Sequence, residues 1–223
     1  GYLKLAAQWP GFIEQIGKVV DEFRQIHQNI QGTRAYTAPF KVGILNCWGN
    51  IRRWMSNQVH HALWYREIYS YVGVIECLSG MPIDVEFLTF DQVREGIAPE
   101  IRVIINAGDA YTSWSGGKNW KDEKVICAIR RFVDEGGGFI GVGEPSACQY
   151  QGRYFQLSDV LGADREMGFS LSTDKYNEVN REHFILEDIL GEIDFGEGKS
   201  RIYAQGENCQ VLDMDGKYCR LVV

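Results

Sequence analysis

The chain has 223 residues, of which 45% are hydrophobic and 13% aromatic, which is enough apolar material for a large buried core. Its net charge of -7 argues against a nucleic-acid partner, because phosphate binding needs a basic surface. No stretch approaches the roughly 20 consecutive apolar residues that cross a bilayer, and no signal peptide precedes the first amphipathic segment. We therefore expect no membrane contact.

Residues 9–31 predict an amphipathic helix that ends at Gln31-Gly-Thr. Its apolar residues recur at helical spacing and are Phe12, Ile13, Ile16, Val19, Val20, Phe23 and Ile26. We expect residues 1–38 to be a connector helix and linker from a missing upstream domain. The chain lacks an initiator Met and ends on the apolar run 221–223, so residues 39–223 are expected to be an α/β domain cut short at its C-terminus.

The next hundred residues alternate between apolar runs typical of buried strands and segments with helical spacing. Strands are predicted at Lys41–Trp48, Ile83–Phe90, Arg102–Gly108 and Phe139–Gly143. Helices are predicted at His61–Ser79, Asp91–Glu95 and Asp122–Glu135. This alternation predicts parallel βαβ units with right-handed crossovers, and so an open, mostly parallel sheet with helices on both faces.

After Gln151 the pattern is less regular. A short helix is predicted at Tyr154–Leu161, and the polar stretch Ser170–Asn180 is expected to be irregular. Late strands are predicted at 200–204 and 210–223, with a hairpin turn at Met214-Asp-Gly-Lys.

In an open parallel sheet, ligands bind outside the carboxyl ends of the strands. Loops rich in Trp and short polar residues follow the first and third predicted strands, at residues 47–54 and 106–120. Indole rings can stack on sugars while amides and carboxylates bond the hydroxyls, but loop Trp residues can equally cap the sheet or bury against another domain. The sugar-facing or domain-docking candidates are Trp48, Asn50, Arg52, Asp109, Ser113, Trp114 and Glu144.

Glu144 follows a strand that ends in Gly-Val-Gly, and we expect a helix of small residues to begin at once. This resembles the nucleophile elbow of the class I glutamine amidotransferases, a flavodoxin-like fold. The resemblance implies a Cys at the apex, but Glu144 or Pro145 stands there, and Cys148 is about a turn further on. A carboxylate there could be a general acid or base, or simply a helix N-terminal carboxylate.

No metal site or cofactor is predicted. The adjacent pair His60 and His61 is more typical of a helix entry, and neither Gly136-Gly-Gly nor Ser115-Gly-Gly-Lys fits a P-loop. The six cysteines form no CxxC pair and indicate reduced thiols in a cytoplasmic protein.

Several blocks of the sequence resemble the central part of the lacto-N-biose/galacto-N-biose phosphorylases, the 1,3-beta-galactosyl-N-acetylhexosamine phosphorylase family. They run over most of the chain, and the Leu-Asn-x-Trp-Gly and Asn-Ala-Gly-Asp-Ala blocks are fairly specific together. The blocks are 12–26, 41–49, 53–54, 84–91, 103–110 and 141–147.

The resemblance implies a parent with a TIM barrel, this amidotransferase-like domain and a downstream β domain. Such enzymes cleave β-galactosyl-hexosamine disaccharides, or galactosyl-rhamnose in relatives, with phosphate and inversion to give galactose 1-phosphate. Phosphate is the co-substrate and no metal is required. The acid that protonates the leaving oxygen lies on the barrel, so no catalytic residue is assigned to this chain, which is expected to be inactive alone.

The sequence therefore predicts the non-catalytic central domain of a cytoplasmic, homo-oligomeric glycosyltransferase of the disaccharide phosphorylase type. Its partners would be the barrel, the β domain and the disaccharide. Two alternatives stay open: a stand-alone amidotransferase-like module that binds a small molecule, and a hydrolase that uses Glu144.

Overall fold

The computed structural model describes residues 4, 8–34, 36–47, 69–110, 112–168, 178–196, 201–206 and 208–223. The chain divides into two compact units, Gly1–Thr37 and Ala38–Val223. In the described part of the chain, no helix is long and apolar enough to cross a membrane.

The first unit contains helix α1, Pro10–Ile30, close to the helix predicted at residues 9–31. Pro10 opens the helix, where its fixed φ suits a helical turn and its missing N–H costs no hydrogen bond. The predicted apolar stripe is present, and α1 buries none of its residues. A helix with an apolar stripe of this kind is stabilised mainly by packing against a partner surface.

The described elements of the second unit alternate between strands and helices until β4, and strands predominate after it. The strands are β1 Lys41–Asn46, β2 Asp84–Thr89, β3 Ile101–Gly108, β4 Gly138–Gly143, β5 Ala147–Tyr150, β6 Arg153–Phe155, β7 Ala163–Arg165, β8 Ile202–Ala204, β9 Val211–Asp215 and β10 Tyr218–Val222. The helices are α2 Tyr69–Ser79, α3 Phe90–Glu95, α4 Glu123–Asp134 and α5 Ser158–Leu161, with 3₁₀ turns at Gly117–Lys121 and Phe184–Leu186.

Strands β1 to β4 form a wholly parallel sheet in the order β2-β1-β3-β4, as the alternating pattern predicts. Ile44 lies beside Phe87 on one side and Ile105 on the other, and the β1–β3 pairing is in step from Val42 onward, after a shift between Lys41 and Val42. The two inner strands, β1 and β3, hold the most buried residues of the sheet, which explains their nearly continuous apolar sequences.

Two apolar clusters cover the two faces of this sheet. Successive residues of a strand point to opposite faces, so Ile44 and Leu45 of β1 belong to different clusters. The larger cluster packs β1, β2 and β3 against α3 and α4, and the smaller one packs β1 and β3 against α2. Helices therefore cover both faces, as predicted.

Helix boundaries follow local capping. Asp122 caps α4 by accepting a hydrogen bond from the Lys124 amide at 2.9 Å. Thr89 and Gln92 form a reciprocal capping box that starts α3. Helix α2 ends at Ser79 as predicted, and the predicted residues 61–68 lie outside the described part.

The segment after β4 differs from the prediction. No helix begins after Gly143, because residues 147–150 and 153–155 form the antiparallel hairpin β5–β6. The helix predicted at Tyr154–Leu161 is correspondingly wrong in its first half, and only Ser158–Leu161 is helical. The side-chain amide of Gln156 stabilises the hairpin, since it donates to the carbonyls of Cys148 and Tyr150 at 2.7 and 3.1 Å.

The late strands are confirmed, but they form a second, antiparallel sheet in the order β7-β8-β10-β9. Strands β9 and β10 make the predicted hairpin, with Gly216 at φ +58° in its turn. Of the stretch predicted as irregular, Ser170–Asn180, residues 170–177 lie outside the described residues.

Candidate functional site

The candidate site lies at the carboxyl edge of the parallel sheet. Strand β2 lies on one side of β1, and β3 and β4 lie on the other side. The direction in which successive strands are added to the sheet therefore reverses between β1 and β3. Sheets of this kind bind ligands in the crevice outside the carboxyl ends of those two strands. Here the described residues of the segment that follows β3, 109–110 and 112–121, fold over this position, and we call them the β3 loop.

A backbone hydrogen bond ties the β3 loop to the end of β1. The Cys47 amide donates to the Ser113 carbonyl at 2.7 Å. The Asn119 side chain approaches from the far end of the loop, with its Nδ2 at 3.1 Å from the Cys47 sulfur. The loop therefore contacts Cys47, the first residue after β1. In a sheet with an open crevice, a ligand would occupy this position.

Asn106 is a fully buried polar residue within β3, and its side chain holds the β3 loop against the sheet. Its Nδ2 points to the carbonyls of Trp114 and Ser115 at 3.4 and 3.2 Å. Its Oδ1 accepts from the Ser146 amide at 2.8 Å. One amide side chain thus joins the loop after β3 to the turn after β4.

Two indole rings fix the β3 loop in the core. Trp114 is 7% exposed and stacks on Tyr71 of α2, with ring centroids 4.6 Å apart. Trp120 is completely buried, packs edge-on against Phe90, and donates its indole N–H to the Ser115 carbonyl. Both rings thus belong to the loop that leaves the carboxyl end of β3, whereas Trp48 and Trp54 lie outside the described residues.

Glycines make the close packing of the β3 loop possible. Gly108, the last residue of β3, has φ +117°, and a Cβ there would lie 2.7 Å from the Cβ of Trp114. Gly116 has φ +105°, and a Cβ there would overlap the Phe90 ring at 2.1 Å. Any larger residue at either position would displace the loop from the sheet.

Glu144 lies in the turn after β4 and is engaged within the fold. Its Oε2 accepts from the Ala110 amide at 2.9 Å. Its Oε1 pairs with the Arg165 guanidinium and accepts from the Tyr154 hydroxyl at 3.4 Å. The guanidinium also lies over the Tyr154 ring, 4.5 Å from its centroid. We call Glu144, Arg165 and Tyr154 the Glu144 cluster.

The sequence-predicted site residues fall into two groups. Asp109, Ser113 and Trp114 share the β3 loop, and the Glu144 cluster holds that loop at the amide next to Asp109. Ser113 is buried, and the carbonyl of half-buried Asp109 accepts from the hydroxyls of Thr112 and Ser115 at 2.6 Å each. Trp48, Asn50 and Arg52 lie outside the described residues.

Sequence reasoning missed Asn106 and Arg165 as site residues. Asn106 could have been found, because an amide within an otherwise apolar buried strand needs hydrogen-bond partners. Arg165 had no such signal: its partner Glu144 is 21 residues away, and only the arrangement of β4 and β7 brings them together.

The turn after β4 is not a nucleophile elbow followed by a helix. Ser146 does have a positive φ of +51°, but it is fully buried, and its hydroxyl accepts from the Leu157 amide at 3.2 Å. Cys148 lies in the larger apolar cluster, where burial raises the pKa of its thiol. Neither side chain is presented to a substrate as an activated nucleophile would be.

The described residues hold no group of three or more His, Cys, Asp or Glu side chains placed to bind a metal ion. His60 and His61 lie outside the described part. Among the described residues, the Glu144 cluster provides ion pairing and hydrogen bonding near this edge.

Two family models match the chain. The lacto-N-biose phosphorylase central domain matches residues 41–223, and the lacto-N-biose phosphorylase N-terminal TIM barrel domain matches residues 1–38.

Three curated relatives are similar over nearly the whole chain. A 1,3-beta-galactosyl-N-acetylhexosamine phosphorylase of Lachnoclostridium phytofermentans is 53% identical over 100% of this chain and 31% of the relative. Its counterpart in Bifidobacterium longum subsp. longum is 40% identical over 99% of this chain and 34% of the relative. A D-galactosyl-beta-1->4-L-rhamnose phosphorylase of L. phytofermentans is 32% identical over 95% of this chain and 28% of the relative.

The chain thus spans about a third of the length of the curated relatives that it matches. Because the family model of the central domain covers residues 41–223, most of the chain, the chain belongs to the lacto-N-biose phosphorylase family.

Proposed function

We propose that this chain is the non-catalytic central domain of an inverting glycosyl phosphorylase. The parent enzyme would cleave β-galactosyl-hexosamine disaccharides such as lacto-N-biose and galacto-N-biose with phosphate. A phosphate oxygen would attack the anomeric carbon as the glycosidic bond breaks, giving galactose 1-phosphate, while an acid protonates the departing sugar oxygen. The names of the relatives support this substrate class.

The observation that carries the non-catalytic role is the β3 loop itself. This loop lies in the position where comparable sheets bind ligands. It is packed onto the strands of the sheet by a backbone hydrogen bond, by the Asn106 side chain and by two buried indole rings. Glu144, the residue considered as a general acid or base, has both carboxylate oxygens engaged by protein groups. These contacts support a structural role, as a wall or docking surface for the catalytic barrel.

We also propose that the fold is of the class I amidotransferase-like, flavodoxin-like type. The parallel order β2-β1-β3-β4 supports this, because it matches the first four strands of the 2-1-3-4-5 order of that fold. Helices on both faces of the sheet add further support.

We propose that the parent contains a TIM barrel upstream and a β domain downstream, and acts as a cytoplasmic homo-oligomer with phosphate as co-substrate. Residues 1–38 then belong with the barrel, which the family match of this segment supports. The exposed apolar stripe of α1 supports the same assignment, since such a stripe needs a partner surface.

The test of the activity is product analysis of the full-length polypeptide with lacto-N-biose, galacto-N-biose and phosphate. Galactose 1-phosphate of inverted anomeric configuration is expected. Release of free galactose without phosphate consumption would contradict the proposal and favour a hydrolase.

The non-catalytic role is tested by the matched variants Glu144→Gln and Arg165→Gln in the full-length enzyme. If the ion pair is structural, both variants lower thermal stability to a similar extent and retain kcat. If Glu144 is an acid or base, Glu144→Gln alone loses about 10²- to 10⁴-fold in kcat, because Arg165→Gln keeps the carboxylate.

A further inference from the structure

A groove of about 340 Å³ lies between the first half of α4 and the β5–β6 hairpin. Trp120 and Lys121 at the end of the β3 loop line it, and it does not include the Glu144 cluster. Its basic lining residues are Lys121, Arg130 and Arg153, and its other polar or aromatic residues include Tyr150 and Gln151. Its volume falls in the range of about 300–1,000 Å³ that is typical of small-molecule sites.

The groove is lined mainly by positive charges, whereas the chain as a whole is negatively charged. Three cations line it against one carboxylate, Glu123, although the whole chain carries -7. Asp159 partly offsets this charge from the side: it pairs with Arg130 at 2.7 Å and lies 3.8 Å from Arg153. The contact between Asp159 and Arg153 is long, so the Arg153 guanidinium keeps most of its capacity to bind a further anion.

Lys121 supplies a second unused positive charge. Its ammonium lies over the Tyr150 ring, 5.1 Å from the centroid, and no carboxylate within the described residues forms an ion pair with it. An ammonium is a compact point charge and a guanidinium is a planar fork, and the two together are a common arrangement for binding phosphate oxygens.

The rest of the lining suits a sugar attached to that phosphate. The Tyr150 ring is 37% exposed and offers a flat apolar surface beside the cations. Gln151 is exposed and can both donate to and accept from hydroxyl groups. We propose that this groove binds a phosphate dianion, either free or carried by a monosaccharide. The proposal does not depend on the proposed function.

A cysteine provides a local probe. Cys127 lines the groove and is exposed, whereas Cys77 on α2 is also exposed but lies outside the groove. The experiment measures the iodoacetamide alkylation rates of both cysteines in the full-length polypeptide by mass spectrometry. The probes are glucose 1-phosphate, inorganic phosphate and unphosphorylated glucose, at matched ionic strength.

Glucose 1-phosphate at twice its dissociation constant leaves a third of the grooves free, so alkylation of Cys127 is expected to slow about threefold. Alkylation of Cys77 should be unchanged, and unphosphorylated glucose should not protect Cys127. Protection by glucose 1-phosphate above that given by inorganic phosphate identifies a sugar phosphate as the ligand, and equal protection identifies free phosphate.

The variants Lys121→Gln and Arg153→Gln should lose the protection, and Lys118→Gln should keep it, because Lys118 is in the same loop but does not line the groove. Three results would overturn the proposal. They are no protection by either phosphate, equal slowing of Cys77, and a Cys127 that is already unreactive because another part of the full-length polypeptide covers it.

Discussion

Tyr71 of α2 and Trp114 of the β3 loop form a stacked pair, with ring planes inclined by 28°. Burial raises the pKa of the Tyr71 hydroxyl to about 12, from an ordinary value near 10. The pair joins the helix on one face of the sheet to the loop at its carboxyl edge. The stability of this edge should therefore depend on the protonation state of one phenol.

The first prediction concerns that pH dependence. Because the folded state holds the Tyr71 proton more tightly than the unfolded chain, its contribution is complete below pH 10 and is lost as the pH rises toward 12. The loss cannot exceed about 1.4 kcal/mol per pH unit. Urea unfolding of the wild type and of Tyr71→Phe, from pH 8.5 upward, measures it. The free energy of unfolding of the wild type should fall relative to that of Tyr71→Phe as the pH rises, and parallel curves would show that Tyr71 does not titrate in this way.

The second prediction concerns Trp114 in the parent enzyme. Replacing a buried aromatic residue with Ala costs about 3–5 kcal/mol of stability. In full-length Trp114→Ala that remains folded, kcat/KM should fall much more than kcat at saturating sugar and phosphate, because no reacting group is removed. Trp114→Phe keeps a ring against Tyr71 and is the matched control, expected to lie close to the wild type.

Steady-state kinetics on the two Trp114 variants decide between binding and chemistry. A large fall in kcat with unchanged KM in Trp114→Ala would mean that this domain acts in the transition state. The assignment of the domain as non-catalytic would then be wrong.

The parallel sheet could be predicted from the sequence because its strands are covered on both faces. Burial on both faces requires nearly continuous apolar runs, and β1 and β3 show them. The edge strand β2 is more exposed, but it is bounded clearly by Pro82 and by the capping box at Thr89. The apolar runs, Pro82 and the capping box thus determine most of the strand boundaries.

The hairpin β5–β6 could not be predicted in the same way. Its sequence begins with small residues after Gly143, a pattern that also opens helices. The hairpin is held by contacts with residues further along the chain, such as the Gln156 side chain and the hydrogen bond from the Gln156 amide to the Ser146 carbonyl. The pairing of Glu144 with Arg165 depends on the same arrangement. Such contacts have no signature at a single position in one sequence.

The third prediction concerns the cysteines. Cys77 and Cys127 are exposed and should react quickly with iodoacetamide at neutral pH. Cys148 and Cys219 are buried, and burial raises the pKa of both thiols, so few thiolates are present and access is poor. Both should react only when the protein unfolds.

For the same reason the chain should release no glutamate from glutamine. Mass spectrometry of alkylated peptides and a glutaminase assay check the two statements separately. Glutamate release that is abolished by Cys148→Ala would reinstate an amidotransferase site and contradict the structural role of this cysteine.

The last prediction isolates the packing of the β3 loop. Gly108 and Gly136 both have a positive φ, of +117° and +93°, so Ala at either position carries a similar backbone cost. Their surroundings differ: a Cβ at 108 would lie 2.7 Å from the Cβ of Trp114, whereas a Cβ at 136 has no atom within 4 Å. Gly108→Ala should therefore be much the less stable variant, because it also displaces the loop from the sheet. Urea midpoints with unchanged slopes measure the difference. Equal midpoints would mean that the β3 loop moves away from the new Cβ without loss of stability. The loop would then not close the carboxyl edge of the sheet.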